Sequence, residues 1–204
     1  MKVIFSVAIL LVSTISTNLQ ATPYCGELYN VSDYKDDTKR SFLGTVEQHH
    51  FTSNIENLRY GNSGPLGGEL SYTLMIFPNH HRALAAFGKL SLREKTLKPA
   101  GAKYSVWCFF DRAIRYKPND AIVRMLFGNY LLKAGEADKA TEQLQIAVDL
   151  QPEDATINYN LGLLYMQKKN YEQAKTYAKK AYELGFPLPG LKNQLVKAGK
   201  WDGD

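Results

Sequence analysis

The stretch NLGLLYMQKKNYEQAKTYAKKAYELG, residues 160–185, has the apolar spacing of helices but carries small residues where a solitary amphipathic helix would place leucine or isoleucine. These small residues are Gly162, Ala174, Ala178 and Ala181. The distance between two packed helices depends on the side chains at their contact, and small side chains let the backbones come close. The stretch therefore predicts that its helical segments pack tightly against each other and against a neighbouring helix.

The same pattern recurs after a shift of 34 residues. Pro118 aligns with Pro152, and Gly128 aligns with Gly162. Five further pairs of small or apolar residues match at this shift: Ala121 with Ala155, Leu131 with Tyr165, Ala140 with Ala174, Leu144 with Ala178, and Ala147 with Ala181. Self-similarity at a fixed period of this length indicates a repeat architecture.

Each period is typical of a helical hairpin. Asp120 and Asp154 are placed to cap the first helices. A short turn follows each first helix, and the second helices end before Pro152 and Pro187, because proline cannot continue a helix. Apolar residues recur at helical spacing in both segments of the hairpin.

This pattern resembles the tetratricopeptide repeat family. The signature residues of the third copy are Leu161, Gly162, Tyr165, Tyr171, Ala174, Ala178, Ala181 and Pro187. Those of the second copy are Phe127, Gly128, Leu131, Ala140, Leu144, Ala147 and Pro152. Arg124 and Asn158 stand where the family has an early tryptophan. The resemblance implies an all-α solenoid of helical hairpins, whose first helices line a concave surface that commonly holds an extended peptide.

We expect about three repeats, at 78–118, 119–152 and 153–186, and a C-terminal capping helix and tail at 187–204. The first copy is degenerate and begins at Pro78. It is six residues longer than the others, and the extra residues fall within the segment LREKTLKPAGA. This segment is either a recognition loop or a tolerated surface insertion.

Residues 22–77 show no repeat, and we expect an irregular segment of loops and short helices there. TSNIENLRYG predicts a short helix that begins at the capping residue Thr52. ELSYTLMIF, residues 69–77, favours a helix, although its tyrosine and threonine also permit a strand. Glycine and proline at 62–68 predict a turn, and VSDYKDDTKR predicts an exposed polar stretch.

Residues 1–21 have the layout of a cleaved secretory signal, with one lysine, an apolar run and a polar stretch that ends in alanine. The alternative is an uncleaved anchor, but the apolar run is short for a bilayer span. The run from YCGELYN through VEQHHF and ELSYTL to PNHHRAL also resembles small exported tetratricopeptide proteins of Gram-negative bacteria, which have no established activity. We therefore expect a periplasmic or secreted protein whose mature chain is not inserted in the membrane.

Cys25 and Cys108 are the only cysteines, and export places both in an oxidising compartment. An even pair in a secreted chain predicts one disulfide. On its predicted helix, Cys108 shares a stripe with Asp111, Arg112 and Arg115 and lies off the apolar face, which favours a bridge over a free buried thiol. A catalytic thiol is the alternative, but no histidine stands in a recognisable arrangement with it.

The sequence contains few residues that indicate catalysis or metal binding. The four histidines form two pairs, His49-His50 and His80-His81, which would bind zinc or copper if the pairs met. However, adjacent histidines on a helix point about 100° apart, so one pair seldom supplies two ligands. The formal net charge is +5, no basic block indicates nucleic-acid binding, and no known catalytic motif is present. We expect that the chain is not an enzyme and that it holds neither a cofactor nor a metal ion.

Residues that flank the signature glycines are expected to face the concave surface. The predicted groove residues are Lys89, Arg93, Met125, Asn129, Lys133, Tyr159, Asn160 and Leu163. Asparagines occur at the positions of Asn129 and Asn160 in repeat domains that clamp a C-terminal carboxylate, and an amide offers a peptide backbone both a donor and an acceptor. Met125 stands where that clamp needs a basic residue, so the clamp is incomplete.

These observations favour a non-catalytic scaffold that binds an envelope protein or peptide. A metal-binding or enzymatic module that uses the histidine pairs is one alternative. A structural subunit whose groove is filled by its own chain is the other.

Overall fold

The computed structural model describes residues 24–202, and this range is helical without strands, which confirms the all-α prediction. A 3₁₀ turn, Asp37–Lys39, precedes the first α-helix. The α-helices are α1 (Arg40–His50), α2 (Ser53–Glu56), α3 (Leu66–Ile76), α4 (His81–Glu94), α5 (Val106–Tyr116), α6 (Ala121–Lys133), α7 (Ala137–Leu150), α8 (Ala155–Gln167), α9 (Tyr171–Glu183) and α10 (Gly190–Lys197). None of them is long and apolar enough to cross a membrane. The predicted signal at 1–21 lies outside the described residues.

Two hairpins, α6 with α7 and α8 with α9, form as the repeat predicts. The Asp120 carboxylate accepts from the backbone N–H of Ile122 at 3.1 Å, and the Asp154 carboxylate accepts from that of Ile157 at 2.9 Å. Both aspartates therefore cap their helices. Along the chain, α7 ends two residues before Pro152.

The signature glycines lie where helices cross. A Cβ atom at Gly128 would lie 2.6 Å from Leu144 Cγ, and one at Gly162 would lie 2.6 Å from Leu191 Cδ2. Ala174, which also carries a small side chain at a crossing, is fully buried. The small residues of the repeat thus make room both for the partner helix of the hairpin and for α10, the next helix in the stack.

The long loop between α4 and α5, residues 95–105, packs against α3. Pro99 and Ala102 are buried, and the backbone N–H of Lys103 donates to Ser71 Oγ at 3.0 Å. A Cβ atom at Gly67 would lie 2.5 Å from the carbonyl oxygen of Ala100, so only glycine fits there. The inserted segment therefore packs on α3 around residues 99–103, while Lys95, Leu97 and Lys98 are exposed.

Helices continue the stack on the N-terminal side of Pro78, since α1 packs on α3 and α3 packs on α4. The helical alternative for 69–77 is confirmed, and α3 begins inside the predicted turn, at Leu66. Thr52 is the N-cap of α2, but its side chain makes no capping hydrogen bond. The prediction of an exposed stretch at VSDYKDDTKR is wrong for Tyr34, which is half-buried and stacks on the ring of His80.

The predicted disulfide joins Cys25 to Cys108. The polar stripe that was predicted to hold Cys108 is partly in the core, because Cys108 and Arg112 are both buried. Arg112 Nη1 donates to the carbonyl oxygens of Cys25 at 3.2 Å and Glu27 at 2.8 Å. Arginine is in the core here because the extended N-terminal segment covers α5 and offers carbonyl acceptors to the guanidinium.

At the other end of the stack, α10 buries Leu191 and Leu195 against α8 and α9. Its other side chains face solvent or lie half-buried. A helix with one buried face and one exposed face is what the C-terminal cap of a repeat stack requires.

Candidate functional site

A pocket of about 120 Å³ opens between α4 and α6, the first helices of consecutive hairpins. Its lining consists of Leu84, Ala85, Gly88, Lys89, Leu92, Phe110, Leu126, Asn129, Tyr130 and Lys133. Three of the eight predicted groove residues, Lys89, Asn129 and Lys133, therefore face one cavity. None of residues 24–77 lines it.

The pocket has an apolar floor and a polar, basic rim. Phe110 and Tyr130 are buried, and their ring centroids lie 6.0 Å apart. Gly88 lies against the Tyr130 ring, since a Cβ atom built there would be 3.4 Å from Tyr130 Cδ2. Lys89 and Lys133 are exposed. Such a cavity can take an apolar side chain, while its rim binds a carboxylate or a peptide backbone.

Three other predicted groove residues are engaged in local contacts. Arg93 Nη1 donates to the carbonyl oxygen of Leu58 at 2.6 Å, so it ties α4 to the chain after α2. Asn160 Nδ2 donates to the Thr156 carbonyl at 2.7 Å and lies 3.5 Å from Met125 Sδ. Met125 is itself buried. These residues connect neighbouring helices and do not line the pocket.

Tyr159 and Leu163 lie at the C-terminal end of the stack. Tyr159 stacks on Phe186 with ring centroids 3.9 Å apart, and its hydroxyl oxygen accepts from the backbone N–H of Leu191 at 3.2 Å. Leu163 packs against the cluster that contains Leu191 and Leu195. Tyr159 and Leu163 of α8 therefore contact α10. The equivalent residues of α6 differ, since Met125 is buried in the core and Asn129 lines the pocket.

The apolar floor of the pocket was not predicted from the sequence. Phe110 and Tyr130 line the pocket and are also buried core residues. A signal for the pocket was present on α6, where Leu126 precedes Asn129 by three residues and Tyr130 by four and so neighbours both on the helix surface.

The histidine pairs link helices through separate carboxylates. The contacts are His50 Nδ1 with Glu69 Oε2 at 2.7 Å, His80 Nε2 with Glu47 Oε1 at 3.0 Å, and His81 Nε2 with Asp120 Oδ2 at 2.8 Å. His49 is exposed. Between residues 24 and 202 no three histidine, cysteine or acidic side chains are grouped in a way that would hold a metal ion.

His80 is fully buried and has a defined proton arrangement. Its Nδ1 accepts from the backbone N–H of Ala83 at 3.2 Å, so the neutral ring carries its proton on Nε2 and donates to Glu47. Burial lowers the pKa of His80 below the ordinary value of 6.5, and this outweighs the opposing effect of Glu47. The folded chain therefore favours the neutral imidazole.

This burial predicts a loss of stability in mild acid. As the pH falls below 6.5, the unfolded chain binds a proton at His80 before the folded chain does. The contribution of this site is thus complete above that pH and is lost as the pH falls towards the lower pKa of the folded state. We expect the free energy of unfolding in urea to fall between about pH 7 and about pH 5.

The His80→Asn variant should show a smaller loss over this range, because asparagine keeps a capping side chain but does not titrate. His49→Asn, at an exposed position, is the matched control and should behave as the parent chain does. An equal loss in His80→Asn and the parent would mean that another group causes the dependence.

Residues 125–185 match the model of a family described as tetratricopeptide repeat. This part of the chain belongs to the tetratricopeptide repeat family. The matched range begins in α6 and ends just after α9, so it covers both regular hairpins.

Solved structures share the tetratricopeptide fold. PilF of Pseudomonas aeruginosa superposes with a TM-score of 0.56 at 22% identity, over 81% of this chain and 71% of that one. MamA superposes with a TM-score of 0.50 at 17% identity, over 79% of this chain and 81% of that one. At these identities the likeness shows the fold alone.

A curated relative matches in sequence over a short range. Protein O-mannosyl-transferase TMTC1 of Homo sapiens is 34% identical over 91 residues, which is 43% of this chain but only 10% of the human protein. The chain therefore spans about a tenth of the length of the human protein.

Proposed function

We propose that this tetratricopeptide chain is a non-catalytic scaffold that binds an extended peptide of a partner protein in the pocket between α4 and α6. One observation carries the proposal: Lys89, Asn129 and Lys133, predicted to face a peptide, line a single cavity with an apolar floor. Repeat solenoids use their extended concave surfaces for binding in this way.

The size and charge of the pocket favour one kind of ligand. A cavity of about 150 Å³ holds a benzene molecule, so the space of about 120 Å³ takes one aliphatic side chain of a peptide. The ammonium groups of Lys89 and Lys133 attract a carboxylate, and the Asn129 amide pairs with a backbone N–H or carbonyl. The preferred ligand is therefore an extended segment with an apolar anchor beside an acidic or C-terminal group.

The pocket is open to a partner. Residues 25–27 of the N-terminal segment lie on α5, where Arg115 Nη2 donates to the Gly26 carbonyl at 2.9 Å and Arg112 Nη1 donates to the carbonyls of Cys25 and Glu27. This course supports binding of another chain over a groove filled by its own residues, since no residue from 24 to 77 lines the pocket.

We place the protein in the periplasm or outside the cell, where its partner is an envelope protein. The sequence of residues 1–21 and the Cys25–Cys108 bridge both support an oxidising compartment. The separate carboxylate partners of His50, His80 and His81 favour a structural role for the histidines over a metal or catalytic one.

The test begins with capture of the partner. A photo-crosslinking amino acid in place of Lys133, on the pocket rim, should capture it in intact cells. The combined change Lys89→Ala and Asn129→Ala should then weaken its binding by about 1–3 kcal/mol, because polar groups of the peptide are left unpaired. Calorimetric titration of the purified partner measures this change.

The matched control is the combined change Lys197→Ala and Asn193→Ala, which removes the same two side-chain types from exposed positions on α10. It should leave the affinity unchanged. Equal affinities of the pocket variant and the parent chain would place the binding site elsewhere.

A further inference from the structure

The positive charge of the chain is concentrated at its C-terminal end. Residues 166–202 contain eight lysines and three acidic residues, an excess equal to the formal net charge of +5 for the whole chain. The rest of the sequence is therefore balanced in charge. A surface with one sign of charge attracts partners of the opposite sign and speeds their association.

A second pocket, of about 450 Å³, lies within this basic region. It is lined by Lys179, Tyr182, Glu183, Phe186, Pro187, Pro189, Lys192 and Trp201. Tyr182 and Trp201 form an edge-to-face pair with ring centroids 6.2 Å apart. Leu188 and Val196, both more than half exposed, add apolar surface on the loop before α10 and on α10 itself.

The C-terminal tail shows which chemical groups bind to this surface. The ammonium groups of Lys192 and Lys179 lie 5.3 Å and 5.8 Å from the centre of the Trp201 ring, within the range of cation–π attraction. The next residue, Asp202, places a carboxylate oxygen 3.1 Å from Lys175 Nζ and 3.8 Å from Lys179 Nζ. An aromatic ring followed by a carboxylate is thus held on the lysines of α9 and α10.

We infer that this pocket is a second binding site, which takes a short acidic segment of another protein that carries one apolar side chain. The apolar side chain enters between Tyr182, Phe186 and Trp201, and the flanking carboxylates meet Lys179 and Lys192. Interface centres are rich in aromatic side chains and are surrounded by a polar rim, which is the arrangement of the three rings and the lysines here.

The shape of the site distinguishes a protein segment from a lipid surface. The rings of Tyr182, Phe186 and Trp201 line a concavity, whereas a membrane-binding helix needs an apolar face that projects into the bilayer. The leucines of α10, Leu191 and Leu195, are buried against α8 and α9 and are not free to enter lipid.

Charge changes on one helix test the site. Lys179 and Glu183 both line the pocket, lie four residues apart on α9 and are exposed. Lys179→Glu should weaken binding of an acidic peptide about threefold to tenfold, and Glu183→Lys should strengthen it by a similar factor. Lys98→Glu, in the exposed part of the loop before α5, is the control and should have no effect.

The probe is a dye-labelled peptide EDEFEDE with both ends capped, titrated with the full chain and followed by fluorescence anisotropy. The phenylalanine of this peptide is larger than the one aliphatic side chain that the α4–α6 pocket of about 120 Å³ takes, and the caps remove the terminal carboxylate, so the peptide favours the second pocket. EDEGEDE, without the apolar anchor, and QNQFQNQ, without the charges, should both bind more weakly. Added salt should weaken binding of the charged peptide, because Lys179 is exposed to solvent ions.

Three results would overturn this inference. One is the absence of EDEFEDE binding at about 1 mM protein. Another is equal affinity of the Lys179→Glu and Glu183→Lys variants. The third is binding to phosphatidylglycerol vesicles, but not to the peptide, which would indicate a lipid surface. The variant with Lys89→Ala and Asn129→Ala should bind the peptide normally, so failure at either pocket is distinguishable from failure at the other.

Discussion

Replacement of both cysteines, Cys25→Ser with Cys108→Ser, is expected to lower the free energy of unfolding by about 2–5 kcal/mol. The bridge joins residues separated by 83 positions, and closure of a loop of that length contributes about 4–5 kcal/mol in the chain-entropy model. Removal of a native disulfide from a small secreted domain typically costs about 2–5 kcal/mol, which sets the range. Urea denaturation of the parent chain and the variant measures the difference.

The bridge also holds the N-terminal segment over a buried charge. Arg112 is fully buried and donates to the carbonyls of Cys25 and Glu27. If residues 24–28 leave α5 when the bridge is absent, the guanidinium loses these acceptors, and an unpaired buried charge is costly. Some of the lost stability should therefore come from Arg112, in addition to the loop entropy.

Chemical reduction of the parent chain measures the effect of the bridge on stability without the two substitutions. The reduced parent chain should lose about as much stability as the double variant, whose serines no longer respond to reductant. The Cys25→Ser variant alone should match both, because either change opens the same loop. Unchanged stability after complete reduction would contradict the predicted contribution of the bridge.

The sequence predicts the regular hairpins well because their physics is local and repeated. Gly128 and Gly162 recur at one spacing, and Asp120 and Asp154 sit at the starts of two equivalent helices. A period shared by two copies reports which residues face each other, and the all-α solenoid follows from it.

The N-terminal region was less predictable because its order depends on distant contacts. The helical pattern around Arg112 places this residue on a polar face, and nothing near it in sequence shows that residues 24–28 cover that face. Tyr34 was predicted to be exposed for the same reason, although it stacks on His80 and its hydroxyl lies 2.8 Å from His81 Nδ1.

The candidate site was predicted in part. Lys89, Asn129 and Lys133 meet in one pocket, because equivalent faces of adjacent first helices line the same surface. Tyr159 and Leu163 occupy corresponding faces of α8, but α10 packs on them. The match between the copies does not show which helix is the last of the stack. Whether the face of a first helix is covered by another helix or open to a ligand depends on that helix's place in the stack.

Gly128→Leu is expected to destabilise the chain by about 1–3 kcal/mol or more, because an added side chain enters the closest part of the α6–α7 crossing. Its Cβ would lie 2.6 Å from Leu144 Cγ and 3.3 Å from the Ala140 carbonyl oxygen. The contacted carbon is the branch point of a fully buried leucine, so it cannot swing aside. Relief therefore requires the two helices to move apart.

The same change at Gly162 should cost less than at Gly128. The nearest atom there is Leu191 Cδ2, at the end of a side chain on α10, and the backbone atoms of Ala174 and Ala178 lie farther away, at 3.4 Å. Rotation of the leucine, with a small shift of α10, relieves part of the clash. Glu142→Leu, on the exposed face of α7, controls for the added leucine and should change stability by less than about 0.5 kcal/mol.

Urea denaturation of the three variants and the parent chain should therefore rank the losses as Gly128→Leu, then Gly162→Leu, then Glu142→Leu. The ranking depends on what each added side chain meets, since all three changes introduce the same residue. Equal losses at Gly128 and Glu142 would show that α6 and α7 do not cross closely at the signature glycine. A larger loss at Gly162 than at Gly128 would mean that α10 is held more rigidly than the hairpin itself.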